Sequence, residues 1–171
     1  MEKKLCGDSA DILIYRHDDH GEIEVLAGVR QYEPWKGHTT VPFGGHIEPS
    51  DDNILEAAVR EVEEETGLVV CIDFFVGIYG PKRRHYGLNS NMEAVAIGDD
   101  RSSVSHVFAG RVAGGILGAS AEQKNLRIVR PADLALVPMC FDHALVLSDF
   151  LSAMEDGSAK TWRREALKLI K

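Results

Sequence analysis

Apolar and polar positions alternate in blocks along the chain, and the period of the alternation changes from block to block. Ala10–Tyr15 (ADILIY) is β-branched and apolar and predicts a buried strand. The turn-rich HDDHG follows, and Glu22–Arg30 (EIEVLAGVR) predicts a second strand, which suggests a hairpin. The Gly-rich, Pro-containing stretch PWKGHTTVPFGG speaks against a long helix. Ile54–Thr66 predicts the clearest helix, with Leu55, Ala58, Val59 and Val62 at i, i+3, i+4 and i+7 as a core-facing stripe. Asn53 with Glu56 three residues later fits a capping box, and Asp51 and Asp52 precede it where the helix dipole favours anions. Gly67 suits a left-handed C-cap.

Strand-like runs return at Leu68–Tyr79, Val104–Ala113 and Asn125–Arg130, with GPKRRHYGLNSN and IGDDRSS predicted as loops. Gly114–Gly118 (GGILG) reads as a turn. Phe141–Met154 predicts an amphipathic helix, and a basic helix is expected from Thr161 onward. Helices and strands mix without regular βαβ alternation, so the fold class is α+β with a largely mixed sheet.

With 171 residues the chain suits one domain, 1–171, large enough to fold without a metal or disulfide staple. A net charge of −8 argues against bulk binding to nucleic acid or anionic lipid, so phosphate groups must be met locally, through a metal ion or a small basic loop. Cys6, Cys71 and Cys140 lie far apart and form no CxxC pair, which indicates neither a disulfide framework nor a zinc knuckle. No secretory signal or membrane-length apolar run is present, and a cytoplasmic location is expected.

Glu61, Glu64 and Glu65 stand at i, i+3 and i+4, sharing a fan about 100° wide beside the apolar stripe. Two accounts fit: a solvated acidic face, or a site where a hard cation such as Mg²⁺ or Ca²⁺ reverses the mutual repulsion. Arg60, four residues before Glu64, is within reach to hold a carboxylate. Gly44 and Gly45 place exposed backbone near the same helix, where a ligand can approach.

The segment GGHIEPSDDNILEAAVREVEEETGL resembles the signature box of the Nudix hydrolases, written Gx5Ex7REUxEExGU with U aliphatic. Arg60, Glu61, Val62, Glu64, Glu65, Gly67 and Leu68 all match its second half. The first half departs. Eight residues before Arg60 stands Asp52 where the pattern has Glu, and one extra residue separates it from Gly45, so Asp51 and Asp52 compete for that place. Both aspartates also fit simple helix caps.

The resemblance implies an α/β/α sandwich with a mixed sheet and a catalytic helix near 54–66. It implies a divalent-metal-dependent hydrolase that cleaves a diphosphate bond in a nucleoside diphosphate linked to another moiety, with metal-activated water attacking phosphorus. By that analogy Glu61, Glu64 and Glu65 bind Mg²⁺ or Mn²⁺ with the Gly44 carbonyl, and Arg60 orients a ligating carboxylate. Glu122 is placed as ligand or general base, although an exposed loop glutamate fits it nearly as well.

Substrate choice is less legible. Lys82, Arg83, Arg84 and His85 form a basic loop that suits a terminal phosphate or simple solvation. Trp35, Tyr32 and Phe43 could stack a base or fill the core, Arg30 is a further candidate contact, and His46 fits loop packing. Neither Pro81 nor Tyr86 decides between ADP-ribose and dinucleoside polyphosphates as substrate. The expected partner is a small nucleoside diphosphate derivative, with a homodimer left open. Two alternatives stand beside hydrolysis: a non-catalytic nucleotide sensor on the same fold, and a prenyl-diphosphate isomerase using a cysteine such as Cys71, although that residue fits a core position better.

Overall fold

The computed structural model describes residues 7–33, 35–80, 86–88, 94–96 and 103–159. Its layering follows from the alternation in β1 (Gly7–His17). Ala10, Ile12 and Ile14 are buried in one apolar cluster and Leu13 and Tyr15 in another, so the strand lies between two cores.

β1 also joins two sets of strands. It runs parallel to β8 (Ser103–Gly115) and antiparallel to β4 (Pro42–His46), while Tyr15–His17 pair antiparallel with β2 (Ile23–Arg30). β8 carries β5 (Leu68–Tyr79), and β2 carries β3 (Thr39–Thr40) and β9 (Gln123–Val129). The result is a mixed seven-stranded sheet. α1 (Ile54–Thr66) buries Ala57, Ala58 and Val62 with Ile12, Phe43 and Phe108. α2 (His143–Asp156) buries Val146, Leu147 and Phe150 with Leu13, Tyr15 and Phe74. Helices therefore cover both faces in an α/β/α sandwich, and each large apolar side chain so buried contributes about 1.5–3 kcal/mol. No helix among the described residues is long and apolar enough to cross a membrane.

The bounds of α1 match the predicted ones, and Gly67 closes it at φ 73°. Asn53 is the N-cap, its side chain accepting from the backbone N–H groups of Leu55 and Glu56 at 3.0 and 3.1 Å. The return bond from Glu56 falls one residue early, on the N–H of Asp52 at 2.7 Å, so neither Asp51 nor Asp52 is the cap. The expected stripe is rotated: Leu55, in the first turn, is 43% exposed, and Glu65 is buried beside Ala58 and Val62. The hydrogen bond from Gly44 of β4 draws that glutamate inward.

Elsewhere, two short strands, β3 and β4, occupy the Gly- and Pro-containing stretch, and β6 (Tyr86–Leu88), paired with β7 (Ala94–Ala96), falls inside a predicted loop. Cys71 is exposed, contrary to its expected core position, because strand alternation turns it away from the face on which Val70 is buried. Cys6, most of IGDDRSS and the expected basic helix lie outside the described residues.

Candidate active site

A cavity of about 500 Å³ opens where β1, β4, α1 and the start of β9 meet. Its acidic side is built by close approach of backbone. Asp11 of β1 lies opposite Gly44 of β4, and a Cβ on Gly44 would collide with the Ala10 carbonyl and with Asp11. A Cβ on Gly45 would collide with the Glu61 carboxylate. The two glycines let α1 and β1 bring their acids to one place.

Glu65, 5% exposed, is the most buried acid of the cavity. Gly44 N–H donates to its Oε2 at 3.0 Å and the Gln123 amide donates to its Oε1 at 3.1 Å. Burial pushes its carboxyl up to about 7 against the pull of those two bonds, and the charges of Asp11 and Glu61 add to the rise. Glu61 is also raised, chiefly by burial and against the Arg60 hydrogen bond. Asp11 accepts a hydrogen bond from the buried Ser105 hydroxyl.

Arg60 organises the rest. Its guanidinium donates to Asp51 at 2.8 and 3.0 Å, to Glu61 at 2.9 Å, to Glu64 at 3.3 Å and to the His46 carbonyl at 3.2 Å. The Arg60 hydrogen bond to Asp51, with one from the Glu48 N–H, holds the Asp51 carboxyl at about 2. The competition left by the extra loop residue is thereby resolved in geometry: Asp51 faces the arginine, and Asp52 is exposed.

The opposite side is aromatic. The Arg30 guanidinium lies over the Tyr32 ring at 4.6 Å and over the Phe141 ring at 5.4 Å. Phe141 sits at φ 43°, in the left-handed region that bulky residues avoid. Cys140 N–H donates to the Thr39 carbonyl and Thr39 N–H to that of Pro138, which pins the segment before Phe141 to β3.

Of the residues singled out from sequence, Gly44, Glu61, Glu65, Arg30, Tyr32, His46 and Glu122 line the cavity. Glu64 does not; its side chain is 60% exposed and reaches Arg60 from the solvent side. Trp35 also stays outside the lining: it is 7% exposed and packs behind Phe141, ring centroids 5.9 Å apart. Phe43 is fully buried in the core under α1. Lys82, Arg83, Arg84 and His85 lie outside the described residues. Among the lining residues that went unread are Asp11, hidden in an apolar strand; Gln123, opposite Arg30 in the β2–β9 register; and Phe141, at the mouth of α2.

The donors on the acidic side are all hard oxygens, which suits Mg²⁺ or Mn²⁺ rather than a thiolate- or imidazole-seeking metal. Among the described residues, as placed, no three His, Cys, Asp or Glu side chains form a group able to hold a metal ion. Glu61 and Glu64 are instead hydrogen-bonded to Arg60, so the donor chemistry fits a hard cation while the carboxylates are turned to the guanidinium.

The layering and the glycine–glutamate box define a Nudix-type protein. The chain belongs to the NUDIX domain family, whose model matches residues 7–150. It is 32% identical over 130 residues to an ADP-ribose pyrophosphatase of Methanocaldococcus jannaschii, a match covering 75% of this chain and 66% of the relative, just under two thirds of its length. Among solved structures it is similar to the NUDIX domain of Shewanella oneidensis NrtR complexed with ADP ribose, with TM-score 0.68, 17% identity, and 89% and 90% of the two chains covered. It is also similar to a bifunctional NMN adenylyltransferase/ADP ribose pyrophosphatase of Francisella tularensis complexed with AMP and a manganese ion, with TM-score 0.64 and 18% identity, covering 89% of this chain and 43% of that one.

Proposed function

We propose that the protein is a divalent-metal-dependent pyrophosphohydrolase that cleaves the diphosphate of a nucleoside diphosphate linked to another moiety, with ADP-ribose the first substrate to test. The observation that carries this is the burial of Glu65 against Gly44, beside Glu61 and at the bottom of a cavity large enough for a nucleotide. The relative's name and the ADP ribose bound to the NrtR domain support the choice of substrate.

Glu61, Glu64, Glu65 and the Gly44 carbonyl would hold Mg²⁺ or Mn²⁺, which when bound neutralises the diphosphate and acidifies a coordinated water. The chain's own residues do the rest. Arg60 fixes the carboxylates of Glu61 and Glu64 on one side of α1, limiting their rotation. Gln123 and Gly44 hold both oxygens of Glu65. Glu122, exposed and lining the cavity, would take the proton of the attacking water.

The retained acids favour catalysis over a sensor role. Cys71 is exposed on β5 and outside the cavity lining, which removes the support for an isomerase. The test is turnover of a panel of nucleoside diphosphate derivatives with Mg²⁺ or Mn²⁺ and with excess EDTA. Metal-dependent release of AMP from ADP-ribose is the expected result; tight binding with no turnover of any member would favour the sensor.

A further inference from the structure

We propose that β1 carries a further acidic arm of the cation site, in which Asp11, with Ser9 beside it, accepts hydrogen bonds from water on the bound ion and raises the affinity for it. This rests on the divalent-metal reading of the same cavity and adds a positioning residue from outside the glutamate helix. β1 turns alternate side chains to opposite faces: Ala10 and Ile12 pack in the core under α1, while Ser9 and Asp11 line the cavity. Gly44 brings that pair to the glutamates. Its N–H donates to Glu65 Oε2 at 3.0 Å, and Asp11 is its partner in the β1–β4 register. A Cβ on Gly44 would come to 2.7 Å from Asp11 Oδ1. The carboxylate therefore rests against the bare Cα of the residue whose carbonyl is the expected ligand. Ser105 of β8 donates to Asp11 Oδ2, which sets the orientation in which Oδ1 meets Gly44.

Ser9 is the second sign of a ligand. It is 4% exposed, it lines the cavity, and its hydroxyl has no hydrogen-bond partner among the described residues. A buried hydroxyl left unmet is costly, and a group entering the cavity relieves that cost. A hydrated cation beside Gly44 answers both features. Its charge offsets the mutual repulsion of Asp11, Glu61 and Glu65, and its waters donate to the carboxylate and to the hydroxyl. A phosphate group would instead be repelled by Asp11. Mg²⁺ keeps several of its waters, so an acid beyond ligand distance still acts on the ion through them. Among the described residues, as placed, no three His, Cys, Asp or Glu side chains form a group able to hold a metal, which suits an arm that works through water.

Titration with Mn²⁺ alone, followed by calorimetry and by the paramagnetic resonance of the free ion, reads the arm without turnover. Asp11→Asn keeps an acceptor for Ser105 and removes the charge. Its Kd for Mn²⁺ should rise about 10- to 100-fold, while the metal-free melting temperature holds or rises. Ser9→Ala and Ser105→Ala should each give a smaller rise, and Asp52→Asn, on an exposed side chain, none. Should Asp11→Asn fail to fold, the two serine variants carry the test: weaker binding in both supports the arm, and wild-type affinity in both overturns it. A wild-type Kd in Asp11→Asn overturns the proposal. So does a raised Kd accompanied by a fall in the metal-free melting temperature, which marks a structural role. If Asp11→Asn binds Mn²⁺ normally and loses turnover of ADP-ribose, Asp11 contacts substrate and the proposal is again overturned. Absence of Mn²⁺ binding by the wild type removes the arm together with the metal reading. If the affinities behave as expected and no nucleoside diphosphate derivative is hydrolysed, the hydrolase reading fails and the arm stands.

Discussion

On the acidic side of the cavity a single guanidinium serves three carboxylates and a carbonyl, and a buried glutamate has a donor on each oxygen. On the aromatic side a second guanidinium lies over two rings, and two residues, Trp35 and Phe141, occupy positive φ. Directed bonds fix position without filling much volume. Exchanging a carboxylate there for its amide changes charge and leaves shape, so the damage is chemical. Ring packing fixes position by filling space, so trimming a ring removes function and stability together. The same cavity thus has one side where carboxylate-to-amide changes are expected to show in turnover alone and another where trimming is expected to show in the melting curve as well.

The sharpest way to break this contrast is at Glu65 and Glu61. Changing either to Gln should lower turnover by about a thousandfold or more, some 4 kcal/mol of barrier, while the metal-free melting temperature holds or rises. A melting temperature that drops along with turnover would make the acidic side as structural as the aromatic one. Removing Arg60 comes next. Arg60→Ala leaves Asp51 and Glu61 without their counter-charge, so turnover should fall about a hundredfold and stability by roughly 1–3 kcal/mol. Arg60→Lys should recover little, because a point charge cannot replace the fork that meets Asp51 at two oxygens.

A finer comparison separates the neighbouring aspartates. Asp51→Asn should lower turnover about tenfold by loosening Arg60, whereas Asp52→Asn, on an exposed side chain, should stay within about 0.5 kcal/mol in stability and leave turnover near wild type. Equal effects would mean that the extra loop residue lets either aspartate reach the arginine. A further expectation concerns pH dependence. Glu65 has a folded pKa of about 7 against an ordinary 4.5. Below 4.5 it is protonated folded and unfolded; as pH rises from there to 7 the unfolded chain ionises first, and stability is lost across that window. Asp51 has the opposite sign: held at about 2 against 3.8, it stabilises above 3.8, and that contribution fades as pH falls through 2. Metal-free melting should therefore fall by a few degrees between about pH 5 and pH 7.5, a loss on the order of 3 kcal/mol at most, and Glu65→Gln should flatten it.

How far the sequence revealed all this depended on the range of the interaction. α1 is written locally, in Asn53, the alternation of Ala58 and Val62, and Gly67, and its bounds agree with the structure. The Arg60 clamp was legible because its partners Glu61 and Glu64 are on the same helix. Which aspartate it takes was not, since the course of the loop decides that. Asp11 was masked by its apolar neighbours, and the only signal was a carboxylate inside a strand predicted to be buried. Gln123 reaches Glu65 across 58 residues of sequence, and no periodicity reports such a pair. Trp35 looked like a ligand contact because large aromatics serve both roles; its burial behind Phe141 follows from a loop conformation with φ 74°.

The parallel pairing of β1 with β8 bears on how the molecule comes to be formed. Asp11 and Ser105, bonded across that pair, are 94 residues apart, so the ladder closes a very long loop. During synthesis β1, β2, β4 and α1 emerge well before β8, and one edge of β1 waits unpaired until more than half the chain has followed. The helix bearing the glutamates can dock on β1 and β4 in that interval, but β5, whose sole ladder among the described residues is with β8, cannot be placed. The nascent chain is thus most vulnerable to misplaced strand pairing just after the glutamate helix has been made, and the arrival of β8 is the event that ends that exposure.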